Sequence, residues 1–285
     1  MEKVNDIIKL FEVFVLTAYI KFEKPVSALL IANAESGKSE IIKILKGYSK
    51  TIFINDLSFK PLTETLFPMI ERGDVKHILI PDFINVSQHK KSAQNVIPIL
   101  NSLMEEGVTQ LSYYGSEKKF KEPINCGLIT GITKRYFDRQ IIFWRQVGFL
   151  TRMITVTFNY SASSIIEINN SIRMEKQREK HEVKLKKIKN PVNITIPQDI
   201  SIQIQQMSET LCLANSSYLS LHEDSSRGKR INLKTYGFRF HKILRTLVKA
   251  ICLYEDEGKR KEVNQKDVSI LTQLLRFVNF NFTEV

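Results

Sequence analysis

Two kinds of apolar pattern alternate along residues 1–165: short unbroken runs, and longer stretches in which apolar residues return every three or four positions. Unbroken runs predict strands buried on both faces, and the three-to-four spacing predicts amphipathic helices. Val26–Ala32, Thr51–Asn55, His77–Asp82, Asn125–Thr133 and Met153–Phe158 read as strands. Ile7–Ile20 reads as a core helix leading into the first of them, and Glu40–Gly47 as a helix with a glycine stop. Leu62–Glu71 reads as a helix despite Pro68, and Ala93–Glu106 is apolar at 96, 97, 99, 100, 103 and 104 before Gly107 ends it. Thr109–Tyr114 and Phe120–Pro123 flank G-S-E-K-K, which predicts a β-hairpin with a basic tip. Strands alternating with helices predict an α/β fold with a parallel sheet flanked by helices.

Beyond Ser164 the pattern changes. Arg173–Lys189 carries eight basic and three acidic residues with few apolar ones, and reads as a solvated helix or tether. Pro191 and Pro197 interrupt the next stretch, and then Ile200–Leu213, Phe238–Glu255 and Gln265–Phe280 have helical spacing. The expected organisation is an α/β domain over 1–165, a charged connection over 166–198 and a small all-helical domain over 199–285.

Composition narrows the function classes. A hydrophobic share of 43% supports a packed core, and a net charge of +12 with both 1–165 and 166–285 basic favours a polyanionic partner, DNA or RNA being the commonest. Cys126, Cys212 and Cys252 are far apart with no C-x-x-C pair, which argues against a zinc site or disulfide framework. Lys9 and Glu12 interrupt Ile7–Ile20, which is also short for a membrane span, so a cytoplasmic chain with no membrane partner is expected.

One motif carries chemistry. Residues 32–39 read A-N-A-E-S-G-K-S between a predicted strand and a predicted helix, the context of a phosphate-binding loop. Such a loop works because successive backbone N–H groups turn inward around a phosphate at a helix N-terminus. Ala34, Glu35, Ser36, Gly37, Lys38, Ser39 and Glu40 are the expected nucleotide-binding residues, with Lys38 on the β- and γ-phosphates of ATP and the Ser39 hydroxyl on Mg2+. Ala32 stands where the G-x-x-x-x-G-K-S pattern has its first glycine. Hydrolysis ordinarily uses two adjacent carboxylates on a neighbouring strand, and I-L-I-P-D-F offers one, Asp82, as magnesium ligand or base. Glu105 or Glu106 could supply the second.

With these elements in order, the chain resembles an AAA+ ATPase, specifically the ATPase core of minichromosome-maintenance-type helicases and related ATPases of phages and mobile elements. The resemblance covers roughly 10–160 and 230–280 and is one of ordered motifs. I-L-I-P-D-F looks like a Walker B strand lacking one carboxylate. L-N-S-L-M-E-E-G-V-T-Q-L is similar to the family's helix and pore hairpin, whose tip would present Lys118, Lys119 and Lys121 to DNA. G-L-I-T-G-I-T looks like the sensor 1 strand, with Thr133 where asparagine is usual, so the positioning of water departs from the family's pattern. G-F-L-T-R-M implies that Arg152 is an arginine finger acting on a neighbouring subunit's ATP. G-F-R-F-H-K-I-L-R-T-L-V-K-A implies a lid helix with Arg239 as sensor 2, and E-V-N-Q-K-D-V a last lid helix capped by Asn264.

Motifs and charge together read as an oligomeric, ring-forming AAA+ ATPase that remodels or unwinds DNA with replication partner proteins, in a phage or mobile element. The rival is an ATP-binding switch subunit, a loader, adaptor or regulator, that hydrolyses weakly or not at all; the lone carboxylate and Ala32 favour it. A small-molecule kinase leaves the helical C-terminal part unexplained. The plain alternatives are a surface charge for Arg152, a cap or brace of its own helix for Arg239, and a solvated hairpin tip for Lys118, Lys119 and Lys121.

Overall fold

A computed structural model of the chain describes residues 2–88, 90–113, 116–160, 162–173, 188, 190–221 and 238–279. The elements are α1 (Glu2–Leu16), β1 (Ala28–Ala32), α2 (Lys38–Ile44), β2 (Thr51–Phe53), α3 (Phe59–Pro61), a π turn (Leu62–Leu66), α4 (Phe67–Glu71), β3 (His77–Ile80), α5 (Ile84–Ser87), α6 (Lys90–Met104), β4 (Val108–Tyr113), β5 (Ser116–Ile124), β6 (Gly127–Thr133), α7 (Lys134–Gln146), β7 (Ile154–Thr157), α8 (Ala162–Arg173), α9 (Gln198–Leu221), α10 (Phe238–Asp256) and α11 (Gln265–Leu275). All the predicted strands form. The helices α7 and α8 were not expected: α7 comes directly after β6, and its polar positions obscure its apolar spacing.

Five parallel strands pair in the order β2-β3-β6-β1-β7. Strand β1, between β6 and β7, is buried throughout, as its unbroken apolar run requires. Side chains alternate across a strand, so Ala28, Leu30 and Ala32 join α1, α2, α10 and α11 in one apolar cluster. Leu29 and Ile31 face the other way, into a cluster with α4, α6 and α7. The C-terminal helices thus pack on α1 and share its core.

Three contacts tie this layer together. Glu12, fully buried on α1, accepts hydrogen bonds from Tyr48 and Tyr254, both at 3.1 Å, which links α1 to the end of the α2 segment and to α10. Phe277–Asn279 lies along the outer edge of β7, with Thr157 N–H donating to Phe277 O and Asn279 N–H to Thr155 O. Asn264 caps α11 as expected, in a capping box with Asp267, and Arg260 grips the Asp267 carboxylate at 2.6 and 2.9 Å.

Candidate functional site

Parallel strands carry their C-terminal ends to one edge, and the register shows which residues meet there. Ala32 pairs with Thr133 and Ile80 with Thr130, so the loop after β1, Asp82 after β3 and Thr133 at the end of β6 share that edge. The loop itself turns through left-handed backbone at Glu35 (φ 60°) and Gly37 (φ 78°) before α2 begins at Lys38. Left-handed residues in a tight turn direct backbone N–H groups into one concavity, the nest that anions occupy. Tyr160 donates to Ser36 O at 2.8 Å and holds the turn from the β7 side.

Lys38 is buried and donates to Asn33 O at 2.7 Å. Burial draws its ammonium below the usual lysine range, opposed by the Asp82 charge. A buried cation with one carbonyl and a carboxylate for company fits an anion. The Ser36 hydroxyl, buried with no hydrogen-bond partner among the described residues, also fits a polar ligand in this loop. Ser39 and Glu40 are exposed at the same place. A hydroxyl and a carboxylate, Ser39 and Asp82, are the oxygen donors that Mg2+ takes.

Asp82 has a local structural part as well, its Oδ1 accepting from Ile84 N–H at 3.1 Å at the start of α5. The residue after it decides the question of a second carboxylate on this strand: Phe83 is fully buried and stacks on Phe149 (5.0 Å) with Trp144 edge-on (5.6 Å). Gly131 lies beneath this corner, where an added Cβ would stand 2.8 Å from Pro81 O and 3.6 Å from Lys38 Cβ. Only a hydrogen fits there, a requirement that the G-L-I-T-G-I-T run held without announcing.

The opposite edge gathers the other candidate residues. Arg152 closes the 3₁₀ turn Leu150–Arg152 just before β7, and Arg239 opens α10. Arg152 Nη1 donates to Gly148 O at 2.7 Å, and Arg239 Nη1 to Thr151 O at 3.0 Å. Glu105 pairs with both arginines, at 2.9 Å from Arg152 Nε, and Glu106 lies 3.3 Å from Arg152 Nη2. Desolvation would raise the Glu106 carboxyl, but its own backbone N–H and the two arginines outweigh this and hold it low. Gly148 has φ 71°, a backbone conformation that favours glycine, and an added Cβ would stand 2.5 Å from Arg152 Nη1, so the guanidinium would have to shift.

Glu105 and Glu106 therefore do not supply a second carboxylate to Asp82 of their own chain. Helix α6 runs back from the Asp82 edge, and Asn125, just before β6, donates to Glu105 O at 3.3 Å. The seven residues of β6 at about 3.3 Å each put roughly 20 Å of sheet between the two edges. Their link to Arg152 spans 46 residues or more, which no local spacing could have revealed.

The predicted basic hairpin forms as β4 and β5, but Tyr113 pairs with Ser116, so Lys118, Lys119 and Lys121 lie along β5 and not at its turn. Strand alternation divides them. Lys118 sits over the Phe120 ring and 3.0 Å from Glu71 on α4, while Lys119 and Lys121 point to the other, exposed face. Tyr114 lies outside the described residues, as does most of the basic 173–189 stretch. Arg135 and Arg139 are exposed on α7; burial draws the half-buried Arg145 below its ordinary range.

Among the described residues no group of three or more His, Cys, Asp or Glu side chains could hold a metal, and no helix is long and apolar enough to cross a membrane. No protein-family model and no curated protein matches the chain. Among solved structures it is similar to a full-length MCM homolog from Methanopyrus kandleri, with TM-score 0.51 at 10% identity over 97% of this chain and 56% of that one. This chain therefore spans little more than half the length of that homolog. A candidate ATPase from Cytophaga hutchinsonii aligns at TM-score 0.44 and 10% identity over 95% and 80% of the two chains. The five-stranded parallel sheet flanked by helices is the fold that this chain shares with the Methanopyrus kandleri homolog.

Proposed function

We propose that the chain is an AAA+ ATPase whose ATP sites lie between subunits and whose cycle acts on DNA in the replication of a phage or mobile element. One observation carries the reading. Lys38, Ser39, Asp82 and Thr133 share one sheet edge, and Arg152 and Arg239 share the opposite one. A single copy cannot bring the two sets together across the sheet. Copies joined head to tail can, and such a contact closes into a ring when the rotation allows.

In that arrangement Lys38 would exchange the Asn33 carbonyl for the β- and γ-phosphates, and Ser39 and Asp82 would hold Mg2+, whose charge would offset that of the phosphates. The Thr133 hydroxyl, free of any capping bond at the start of α7, orients the attacking water. Arg152 and Arg239 of the adjoining subunit offset charge building on the γ-phosphate. The part of the proposal that concerns DNA rests on the net charge of +12, on Lys119 and Lys121 on the exposed face of β5, and on the resemblance to minichromosome-maintenance-type helicases.

A second reading, an ATP-binding switch that hydrolyses little, is favoured by Phe83. The position beside Asp82 is committed to an aromatic core and has no carboxylate to activate water. Steady-state ATP turnover by the wild type and Lys38→Ala, across protein concentration and with and without single-stranded DNA, separates the two. Turnover that rises cooperatively with concentration, responds to DNA and vanishes in the variant is expected. Lys38-dependent binding without turnover leaves the switch, and no nucleotide binding removes both.

A further inference from the structure

The arginine edge holds a contact that the proposed reaction leaves unused. One carboxylate serves both arginines, Glu105 Oε2 at 2.9 Å from Arg152 Nε and Glu105 Oε1 paired with Arg239 Nη2. Glu106 adds a second anion on the Arg152 side at 3.3 Å, and the carbonyls of Gly148 and Thr151 take one Nη1 each. Both side chains are thus engaged inside their own chain, Arg152 at 19% exposure and Glu105 at 27%. The Arg152–Glu105 approach is close but badly aimed: Glu105 Oε2 and Arg152 Nε are both buried without a directed hydrogen bond. Such a pair keeps its Coulomb attraction and forfeits the directional part, which leaves it open to exchange for an acceptor of better shape.

We propose that Glu105 is an internal stand-in for a neighbouring subunit's nucleotide: in the separate chain it bridges Arg152 and Arg239, and it yields them to a γ-phosphate when subunits join. This rests on the inter-subunit reading above. The carboxylate offers two oxygens and one charge, one oxygen to each arginine. A terminal phosphate offers three oxygens and close to two charges, so it can take both guanidiniums in directed, charge-assisted bonds. The exchange makes and breaks no covalent bond, and the released carboxylate returns to water at an edge that is only partly covered. Glu105 therefore raises the ATP concentration that association needs and keeps the two arginines together, ready for it. It is a positioning residue, and the contrast between ATP and ADP is its signature, because ADP lacks the competing group.

Sedimentation velocity on the full chain with Mg2+ and titrated ATP or ADP tests this, using wild type, Glu105→Gln and Glu105→Gln/Arg152→Ala/Arg239→Ala. Glu105→Gln is expected to lower the ATP concentration for half-maximal association by about tenfold and to leave the response to ADP unchanged, which widens the difference between ATP and ADP. The gain should disappear in the triple variant. Glu105→Asp, which keeps the charge but is one methylene too short to bridge both arginines, should shift association in the same direction and covers the case in which the glutamine variant folds poorly. ATP-driven association of the wild type, with both single variants unchanged or weaker, overturns the stand-in role and leaves the inter-subunit site. A wild type that does not associate with ATP at any concentration removes the inter-subunit site, and the stand-in with it.

Discussion

At the scale of single residues, the informative positions are those where a small change meets a fixed neighbour. Gly148 combines φ 71° with a Cβ position 2.5 Å from Arg152 Nη1. Gly148→Ala should destabilise the fold by about 1–2 kcal/mol and lower turnover toward that of Arg152→Ala, as a thermal melt and an ATPase assay would show. His77 is fully buried with Nε2 on Val26 O, and burial pulls its imidazole down to about 4 against that hydrogen bond. An unfolded chain protonates this histidine near pH 6.5 and the native chain does not, so stability is complete above about 6.5 and falls as pH drops toward 4. The loss should reach about 3 kcal/mol, read from urea unfolding at pH 7 and pH 4, with His77→Gln flattening the slope.

Elements show which parts of the site are free to change. The end of β3 could seem one substitution short of a second carboxylate, but Phe83 is held by Phe149 and Trp144 in the seam between α5, α7 and the turn that bears Arg152. Phe83→Glu should therefore cost about 3–5 kcal/mol by removing the ring and burying a charge, and should raise no turnover; the melting temperature and soluble yield report it. The same seam ties the Asp82 corner to the arginine turn, a mechanical path that sequence spacing does not reveal. On α11, Asn264→Ala removes one half of a capping box and should cost about 1 kcal/mol in chemical denaturation. The loss stays modest because Arg260 still holds Asp267.

For the whole molecule, the decisive feature is the division of one candidate catalytic set between two edges of a sheet. Activity that depends on protein concentration is the expected consequence, together with salt-sensitive binding of DNA without strong sequence preference. Lys119→Ala and Lys121→Ala should each reduce the slope of log affinity against log salt by about one. Lys118→Ala should change it less: Lys118 is 36% exposed and pairs with Glu71 at 3.0 Å, whereas Lys119, 3.4 Å from Glu117, is 70% exposed. Fluorescence anisotropy over a salt series measures all three.

The sequence by itself determined the strands, the hairpin, the phosphate loop and the lone Asp82, because each is written in contiguous residues: apolar runs, turn signals and a strand-loop-helix order obey local geometry. It also carried the cap at Asn264, a four-residue pattern. Only the tertiary structure decided that Phe83 is core, that the hairpin lysines divide between two faces, that Gly131 must lack a side chain, that Gly148 sits against Arg152, and that Glu105 joins Arg152 to Arg239. Apart from the local Gly148–Arg152 contact, those contacts link residues tens to more than a hundred positions apart, brought together by burial of a shared apolar surface. Burial acts without direction, so the chain encodes which residues leave water but not, in any local pattern, which of them then meet.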